Sequence, residues 1–304
     1  MGDVLKRLPD RARVAVIRLR SLGDCVLTTP AISLLKHHRP DLEIAVVVED
    51  RFRGVFEGNP DIAELLPPDP KVIAAWRPRM ALNFHGGTRS MWLTIASRAK
   101  IRAGFGHHAY SFIYNARIPR AQQILGEERP VHTAEHLASA MFWLGVPHNH
   151  IPRAKLVAPP LANPPADSYA VIHPFASAPE KTWDPRNFVE VAHHLQQTGL
   201  TPVILAGPGD DVAPFSKFRV YRNAPLSEVK SVLSEAQLFI GNDSGPAHIA
   251  AAFGIPAVVL FGPSNPVTWA PWRTEAHALT SKAGMPGISV AQVIAATEAL
   301  KVRA

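Results

Sequence analysis

Short runs of apolar, often β-branched residues alternate with longer segments of helical spacing along most of the chain. The apolar runs predict strands at residues 14–17, 44–48, 80–84, 101–105, 169–173, 201–206, 238–240 and 257–261. Helices are predicted between them at 25–37, 91–100, 186–198, 226–236 and 246–253. Runs that are apolar throughout, such as 44–48, are typical of a parallel sheet covered on both faces. The alternation predicts an α/β fold with two Rossmann-like, doubly wound parallel sheets.

A proline-rich segment at residues 156–168 separates the two halves of the chain. Its sequence, LVAPPLANPPADS, can continue neither a helix nor a central strand. We therefore expect one domain over residues 1–158, a second over 166–288 and a closing helix over 289–304. Ligands of open α/β sheets bind beyond the carboxyl ends of the strands. With two sheets facing each other, the expected active site is the cleft between them.

The charge balance indicates an anionic partner without saying which one. The 304 residues include 32 Lys and Arg against 25 Asp and Glu, a net charge of +7. A phosphorylated substrate, an acidic membrane surface and nucleic acid all fit this excess. The cations occur in short patches such as Arg11, Arg13, Arg18 and Arg20. Because no long basic run is present, a nucleic-acid arm is not indicated.

The distribution of cysteine and of apolar residues favours a cytoplasmic protein. Cys25 is the single cysteine, which excludes an internal disulfide framework and a multi-cysteine zinc site. The N-terminal residues carry charges and prolines where a signal peptide needs an unbroken apolar stretch. Long apolar stretches such as 250–260 are interrupted by Gly254 and Pro256 and are too short to span a bilayer. We expect any membrane contact to be peripheral.

The segment Arg20-Ser-Leu-Gly-Asp24 follows the first predicted strand and precedes the first predicted helix. Gly23 permits a close approach of the backbone, and Asp24 stands at the start of the helix. An Asp at this position is a favourable cap. The loop after the first strand of a doubly wound sheet also points into the crevice, where a carboxylate can take a proton from a hydroxyl. The sequence is compatible with both roles of Asp24.

The string Gly241-Asn-Asp-Ser-Gly-Pro-Ala-His248 follows the predicted strand at 238–240, and its last three residues begin the predicted helix at 246–253. Asp243, Ser244 and Gly245 supply a carboxylate, a hydroxyl and an unobstructed amide in one turn. The free N–H groups of the helix that follows can bind an anion such as the pyrophosphate of a nucleotide sugar. Ordinary capping is the alternative explanation of this turn.

Two further loops after strands carry polar side chains. In residues 172–183, Ser177 and Lys181 offer a hydroxyl and a cation that can neutralise charge on a leaving diphosphate, although a lysine can also be merely solvated. In Asn83-Phe-His-Gly-Gly-Thr-Arg89, His85 and Arg89 could bind the phosphate or carboxylate groups of a second substrate. The other histidines lack metal-ligand spacing, so that no metal site is predicted.

Taken in chain order, these loops resemble the bacterial heptosyltransferases, glycosyltransferase family 9. The similarity extends from residues 14–31 to residues 241–272, and its most specific part is the Asp-Ser-Gly-Pro-Ala-His string at 243–248 followed by Leu-Phe-Gly-Pro-Ser-Asn at 260–265. The resemblance implies a GT-B fold and an ADP-activated L-glycero-D-manno-heptose donor. It also implies transfer with inversion of configuration, without a catalytic metal or a cofactor.

By position, the resemblance makes Asp24 the base that deprotonates the acceptor hydroxyl. The donor contacts that it implies are Ser177, Lys181, Asp243, Ser244, Gly245 and His248, and the expected acceptor contacts are Ser21, Gly23, His85 and Arg89. The implied acceptor is the anionic inner core of lipopolysaccharide, Kdo-lipid A or its heptosylated form. The enzyme is then expected at the cytoplasmic face of the inner membrane, in peripheral contact with it.

Three other functions remain open at the level of sequence. A nicotinamide-dependent redox enzyme is disfavoured, because no Gly-x-Gly-x-x-Gly follows the first strand. A non-catalytic sugar-nucleotide binding module would keep Lys181 and residues 243–248 but would need no base at Asp24. A relative within the family could transfer its sugar to a protein or to another polysaccharide.

Overall fold

The computed structural model describes residues 3–165 and 168–300. The chain divides into two compact units, the first ending at Val157 and the second beginning at Ala158. Ala166 and Asp167 of the expected linker, and residues 301–304 of the expected last helix, lie outside the described residues. Within those two ranges, no helix is both long and apolar enough to cross a membrane.

The first unit is built on a six-stranded sheet in which all the strand pairs are parallel. Its strands are β1 (Arg13–Ile17), β2 (Glu43–Val47), β3 (Glu64–Leu66), β4 (Met80–Asn83), β5 (Ile101–Phe105) and β6 (Ala116–Ile118). They lie in the order β3-β2-β1-β4-β5-β6, so the chain moves outward in one direction from β1 and in the other from β4. Val14 and Ile17 in β1 are fully buried, as a central strand covered on both faces requires.

Helices cover this sheet on both faces. They are α1 (Leu22–His38), α2 (Asp50–Arg53), α3 (Pro70–Trp76), α4 (Thr88–Ala96), α5 (Ala121–Leu125) and α6 (Thr133–Leu144). α1 packs against α6, and α3 packs against α4. The predicted start of the first helix at Cys25 was wrong, because Ser21 is the N-cap and Gly23 and Asp24 belong to the first turn of α1. Cys25 is buried in α1.

The second unit repeats the arrangement with another six-stranded parallel sheet. Its strands are β7 (Tyr169–His173), β8 (Thr201–Ala206), β9 (Arg219–Arg222), β10 (Leu238–Asn242), β11 (Ala257–Leu260) and β12 (Ala276–Leu279), in the order β12-β11-β10-β7-β8-β9. Its helices are α7 (Pro185–Gln197), α8 (Leu226–Ser234), α9 (Gly245–Ala252), α10 (Pro266–Trp269) and α11 (Val290–Ala299). The prediction of two doubly wound parallel sheets is thus confirmed.

The proline-rich segment from Ala158 to Pro165 and the last helix both belong to the second unit. Ser231 Oγ donates to the Pro159 carbonyl at 2.6 Å, and Leu161 N donates to Glu235 Oε1 at 3.2 Å, so hydrogen bonds attach this segment to α8 and to the residue after it. α11 packs against α7 and β11, and its Val293 is fully buried in the core of the unit. The expected closing helix is therefore part of the core of the second unit.

Candidate functional site

Each sheet has one position where the strand order reverses, and the loops that carry the predicted residues lie on the two sides of it. In the first unit this position lies between β1 and β4, and in the second it lies between β7 and β10. At such a switch point the loops that follow the two strands diverge and leave a crevice at the carboxyl edge. Residues 18–24 and 84–89 flank the first crevice, and residues 174–181 and 243–245 flank the second.

Asp24 lies in the first turn of α1 between a hydroxyl and a buried cation. Its Oδ2 accepts a hydrogen bond from Ser21 Oγ at 3.0 Å, and its Oδ1 accepts one from Arg18 Nη1 at 3.4 Å. Arg18 is only 6% exposed. Burial lowers the pKa of Arg18, and the Asp24 carboxylate opposes this effect. The Asp24 side chain remains 25% exposed, so a substrate hydroxyl can reach an oxygen that is already oriented.

Helix capping and a fixed carboxylate orientation are thus compatible at Asp24. The Ser21 N–H points at Asp24 Oδ2 at 3.5 Å, which is the reciprocal half of a capping arrangement. Arg18 is held in turn, because its Nε donates to Thr28 Oγ1 at 3.2 Å and Thr28 Oγ1 donates to the Asp24 carbonyl at 2.7 Å. These bonds hold the carboxylate at the carboxyl edge of β1.

The loop after β4 is organised by Asn83, a fully buried side chain that the sequence analysis did not single out. Its Oδ1 accepts from the backbone N–H groups of His85 and Gly86, both at 3.0 Å. Its Nδ2 donates to Thr94 Oγ1 at 3.0 Å. Gly86 has φ +77°, and a Cβ there would lie 2.8 Å from the His108 ring, so the loop needs glycine at this position.

His85, an expected acceptor contact, lies close enough to Asp24 for the carboxylate to influence its pKa. Burial lowers the pKa of His85, and the nearby Arg18 and Arg20 cations lower it further. The Asp24 carboxylate and a hydrogen bond with the Arg20 backbone act in the opposite direction. Burial and the two cations thus favour the neutral form of the His85 ring beside Asp24.

Arg89 lies further out on the same edge, in the first turn of α4. Its Nη1 donates to Glu49 Oε1 at 3.2 Å, and its side chain is 59% exposed. The backbone N–H of Glu49 donates to the Leu19 carbonyl, which connects this ion pair to the loop after β1. Since an exposed ion pair of this kind is weak, Arg89 can exchange Glu49 for a substrate anion at little cost.

A cluster of histidines beyond β5 was not predicted. His107, His108 and His136 surround Phe105, and the His136 ring stacks on Phe105 with centroids 4.1 Å apart. His107 and His136 line an open cavity of about 750 Å³ together with Arg120. Among the described residues, no group of three or more His, Cys, Asp or Glu side chains could hold a metal ion. The cluster is therefore a set of aromatic packing groups at the rim of a cavity.

Because of the histidine cluster, we expect the first unit to lose stability in mild acid. Burial lowers the pKa of His108 and of His136 to about 4, from an ordinary value of 6.5. Between these values the unfolded chain binds protons that the folded chain does not, so stability rises with pH and is lost as the pH falls. We expect the free energy of unfolding to fall by about 1–2 kcal/mol per pH unit below pH 6.5.

Urea unfolding monitored at a series of pH values measures this slope. His136→Phe, which keeps an aromatic ring on Phe105, is expected to flatten it, whereas the same change at the exposed His38 serves as the control. An unchanged slope in His136→Phe would show that the acid sensitivity has another origin.

In the second unit, Asn242 at the end of β10 ties two loops together. Its side chain is fully buried, its Oδ1 accepts from Trp183 N at 3.2 Å, and its Nδ2 donates to the Pro174 carbonyl at 2.8 Å. Both partners belong to the segment between β7 and α7, which carries Ser177 and Lys181. The predicted end of this strand at Ile240 was too early, because Gly241 and Asn242 are part of β10.

Lys181 and Asp243 approach each other from the loops on the two sides of this switch point. Lys181 Nζ lies 3.8 Å from Asp243 Oδ2, which is too far for a hydrogen bond. Burial raises the pKa of Asp243, while a hydrogen bond from Ser264 and the Lys181 charge act to lower it. The donors of Lys181 are not saturated by this carboxylate and can bind a further anion.

The remaining predicted donor residues lie around the N-terminus of α9. Ser244 is the N-cap and Gly245 the first residue of the helix. Ser244 Oγ is buried and has no hydrogen-bond partner among the described residues. His248 is buried one turn further on, with its ring edge-on to Trp269, and Ser177 is exposed in the loop after β7. The helix N-terminus and the Ser244 hydroxyl are therefore suited to an oxygen-rich anion.

A substitution at Gly262 tests how the turn Pro179–Lys181 is supported. A Cβ at this position would lie 2.3 Å from the Glu180 carbonyl oxygen and 3.4 Å from Lys181 Cα. Gly262→Ala must therefore displace the turn, and we expect a loss of about 1–3 kcal/mol of stability together with weaker binding of an anionic ligand. Gly209→Ala is the matched control in the same unit, because nothing lies within 4 Å of its added Cβ. Thermal unfolding that is equal in the two variants would contradict the proposed contact.

The sequence did not identify Arg18, Asn83 or Ser264 as site residues, because their roles depend on the folded surroundings. Arg18 was noted only as part of a charged patch, Asn83 only as the start of a motif, and Ser264 only as part of a family string. A charged or amide side chain directly at the end of an apolar strand is the signal that could have identified the first two, since a buried polar group must find partners. Ser264 gave no such local signal.

Comparisons with known proteins identify the family of the chain. The family model described as glycosyltransferase family 9 (heptosyltransferase) matches residues 77–292. Lipopolysaccharide heptosyltransferase 3 of Escherichia coli K12 is 29% identical over 294 residues, covering 84% of this chain and 83% of the relative.

Two solved structures have similar folds. A glycosyl transferase family 9 protein from Veillonella parvula DSM 2008 superimposes with a TM-score of 0.84 at 23% identity, over 95% of this chain and 97% of that one. The ADP-heptose lipopolysaccharide heptosyltransferase II of E. coli superimposes with a TM-score of 0.80 at 17% identity, over 94% and 98%. The GT-B fold implied by the sequence resemblance is thereby confirmed. The family match covers well over half of the residues, and the chain therefore belongs to glycosyltransferase family 9, the heptosyltransferases.

Proposed function

We propose that this glycosyltransferase moves L-glycero-D-manno-heptose from ADP-heptose to the inner core of lipopolysaccharide. The acceptor is Kdo-lipid A or its heptosylated form, met at the cytoplasmic face of the inner membrane by peripheral contact. The names of the relatives support the substrate class, since they are lipopolysaccharide heptosyltransferases and one is described as an ADP-heptose enzyme. The observation that carries the proposal is the group formed by Lys181, Asp243 and Ser244 at the N-terminus of α9.

This group suits a sugar diphosphate because it combines anion binding with a hydrogen-bond acceptor. The Lys181 ammonium, the Ser244 hydroxyl and the first N–H groups of α9 bind the diphosphate oxygens. The half-buried Asp243 carboxylate accepts hydrogen bonds from sugar hydroxyls, and His248 lies in the first turns of α9. Ser177 adds a hydroxyl from the loop after β7. A ligand oxygen at the helix N-terminus would also give the buried Ser244 Oγ a partner.

The chemical step is a single displacement at the anomeric carbon. An acceptor hydroxyl oxygen forms the new glycosidic bond while the bond between the anomeric carbon and the diphosphate oxygen breaks. Asp24 takes the hydroxyl proton, and the electron pair of the broken bond leaves on ADP. Arg18 and Ser21 hold the Asp24 carboxylate in one orientation for this transfer, which lowers the entropic cost of the step.

The stereochemical outcome and the absence of a metal follow from the same proposal. One displacement inverts the anomeric configuration, whereas two successive displacements would restore it. The charge that develops on the leaving diphosphate is stabilised by Lys181 and by the positive end of α9, which act in place of a divalent cation. Ser21, Gly23, His85 and Arg89 are the acceptor contacts, and Arg89 binds an acidic group of the inner core.

Calorimetric titration with ADP-heptose, ADP and UDP-sugars tests the donor assignment. We expect ADP-heptose and ADP to bind and UDP-sugars to bind far more weakly, with no change when a chelator is present. Equal affinity for UDP-sugars would contradict the assignment. If ADP-heptose binds but its heptose is transferred to no acceptor, the protein is a non-catalytic sugar-nucleotide binding module. Turnover with a protein or another polysaccharide, and none with Kdo-lipid A, would change only the acceptor.

A further inference from the structure

The net positive charge of the chain arises from one stretch of the first unit. Residues 70–126 contain nine of the 32 Lys and Arg residues and none of the 25 Asp and Glu residues. Outside this stretch 23 cations face 25 acids, so the whole of the net charge of +7 is carried here. The stretch begins with α3 and ends with α5, and it includes α4 and the outer strands β5 and β6.

The same stretch exposes large apolar side chains. Of the five exposed large hydrophobic residues in the described part of the chain, three lie within it: Trp92 at 60%, Ile95 at 42% and Phe112 at 69%. Thr88, Trp92 and Ile95 are spaced four and three residues apart in α4, so they lie on one face of the helix. Phe112 lies in a short 3₁₀ turn, Ser111–Ile113, between β5 and β6.

Two side-chain contacts join α4 to this turn. Thr88 Oγ1 and Tyr110 Oη lie 2.8 Å apart, and the Tyr110 ring meets the Phe112 ring edge-on with centroids 6.4 Å apart. The connections from β4 to β5 and from β5 to β6 move outward in the same direction, so right-handed crossovers place both on one face of the sheet. Trp92, Ile95 and Phe112 therefore belong to one surface, which we name the α4 surface.

Cations border the α4 surface. Arg98 and Lys100 follow α4 and are exposed. Asn115 Nδ2 donates to the Lys100 carbonyl at 2.8 Å, and Arg102 Nε donates to the Ile113 carbonyl at 2.9 Å. These bonds fix the basic segment beside the turn that carries Phe112. Exposed Trp and Phe bordered by Lys and Arg form the pattern of a surface that lies on a membrane interface.

We infer that the α4 surface docks on a bilayer whose headgroups include anionic phospholipids. The aromatic side chains enter the interfacial region, and the cations meet the phosphate groups. A second copy of the chain does not suit this surface, because two surfaces of the same sign repel each other. The inference rests on the proposed function, since an acceptor with a lipid anchor is presented at such a bilayer. Thr88 directly follows the His85 to Gly87 loop, so docking places the acceptor-side loop near the headgroups.

Flotation with lipid vesicles tests this docking. Wild-type protein is expected to bind vesicles of phosphatidylcholine with phosphatidylglycerol, to bind phosphatidylcholine vesicles weakly, and to lose binding as salt is added. The Trp92→Ser/Phe112→Ser variant is expected to bind the anionic vesicles at least about tenfold more weakly. Lys100→Ser is expected to lower binding by about fivefold. Val267→Ser and Lys217→Ser, exposed positions in the second unit, are the matched controls and should bind like wild type.

Transfer to a deacylated, water-soluble acceptor separates this inference from the proposed function. Trp92→Ser/Phe112→Ser should keep wild-type kcat with that acceptor and lose activity only with the vesicle-bound one. Vesicle binding that is equal for wild type and this variant, or equal for charged and uncharged vesicles, would overturn the docking surface. Normal vesicle binding with no transfer to any acceptor would instead overturn the proposed function.

Discussion

Replacing Asp24 by Asn is expected to lower kcat for heptose transfer by about a hundredfold to ten-thousandfold, the range that general bases contribute. The affinity for ADP-heptose should stay within about twofold, because the proposed donor contacts lie elsewhere. The amide oxygen can still accept the Ser21 Oγ bond, so most of the helix start is preserved. Steady-state kinetics together with calorimetric titration of the donor measure the two effects separately.

The control for this prediction must separate catalysis from helix capping. Asp69 caps α3 in the same unit by accepting hydrogen bonds from Lys71 N at 2.7 Å and Val72 N at 3.2 Å. Asn caps a helix about as well as Asp, so Asp69→Asn should keep the cap and leave both the stability and kcat close to wild type. Should Asp24→Asn keep wild-type turnover while folding normally, Asp24 would be a helix cap only.

Replacing Lys181 by Ala is expected to weaken the binding of ADP-heptose and of ADP by about tenfold to a hundredfold. A hydrogen bond to a charged group contributes about 1.5–3 kcal/mol, which corresponds to this range. The kcat should fall as well, since the charge on the leaving diphosphate grows as the bond breaks. Without Lys181, one of the two influences that lower the pKa of Asp243 is also removed.

Two variants control for Lys181→Ala. Lys181→Arg keeps the positive charge and should recover part of the affinity, although its planar donors fit the same position differently. Lys217 is an exposed lysine of the same unit, and Lys217→Ala should bind ADP like wild type. A Lys181→Ala protein with wild-type affinity for ADP would mean that this lysine is merely solvated, which the sequence left open.

The central strands could be predicted because burial on both faces leaves a continuous apolar run. β1, β4, β7 and β10 were all found from such runs, as were their direct neighbours β2, β5, β8 and β11. The four edge strands β3, β6, β9 and β12 were missed. They have only three or four residues and include exposed polar side chains such as Glu64 and Arg117. Short edge strands lack the pattern that burial imposes on a central strand.

The loops that carry chemistry were predictable for a related reason. Because parallel strands end at one edge, polar residues just after central strands are placed there by the topology alone. That argument located Asp24, His85, Lys181 and Asp243 at the carboxyl edges of their sheets. It could not find Arg18 as the partner of Asp24, since that contact depends on the exact course of the backbone from β1 into α1. The histidine cluster was missed because His136 is brought to Phe105 by α6, a helix that was not predicted.

Incubation of the wild-type protein with ADP-heptose and Kdo-lipid A in the presence of a chelator tests the proposed heptose transfer and its independence of metal. Mass spectrometry of the acceptor should show the addition of one heptose residue with release of one ADP, and the Asp24→Asn protein should show almost none in the same time. An acceptor that stays unmodified by wild-type protein, or equal product from both proteins, would contradict the account.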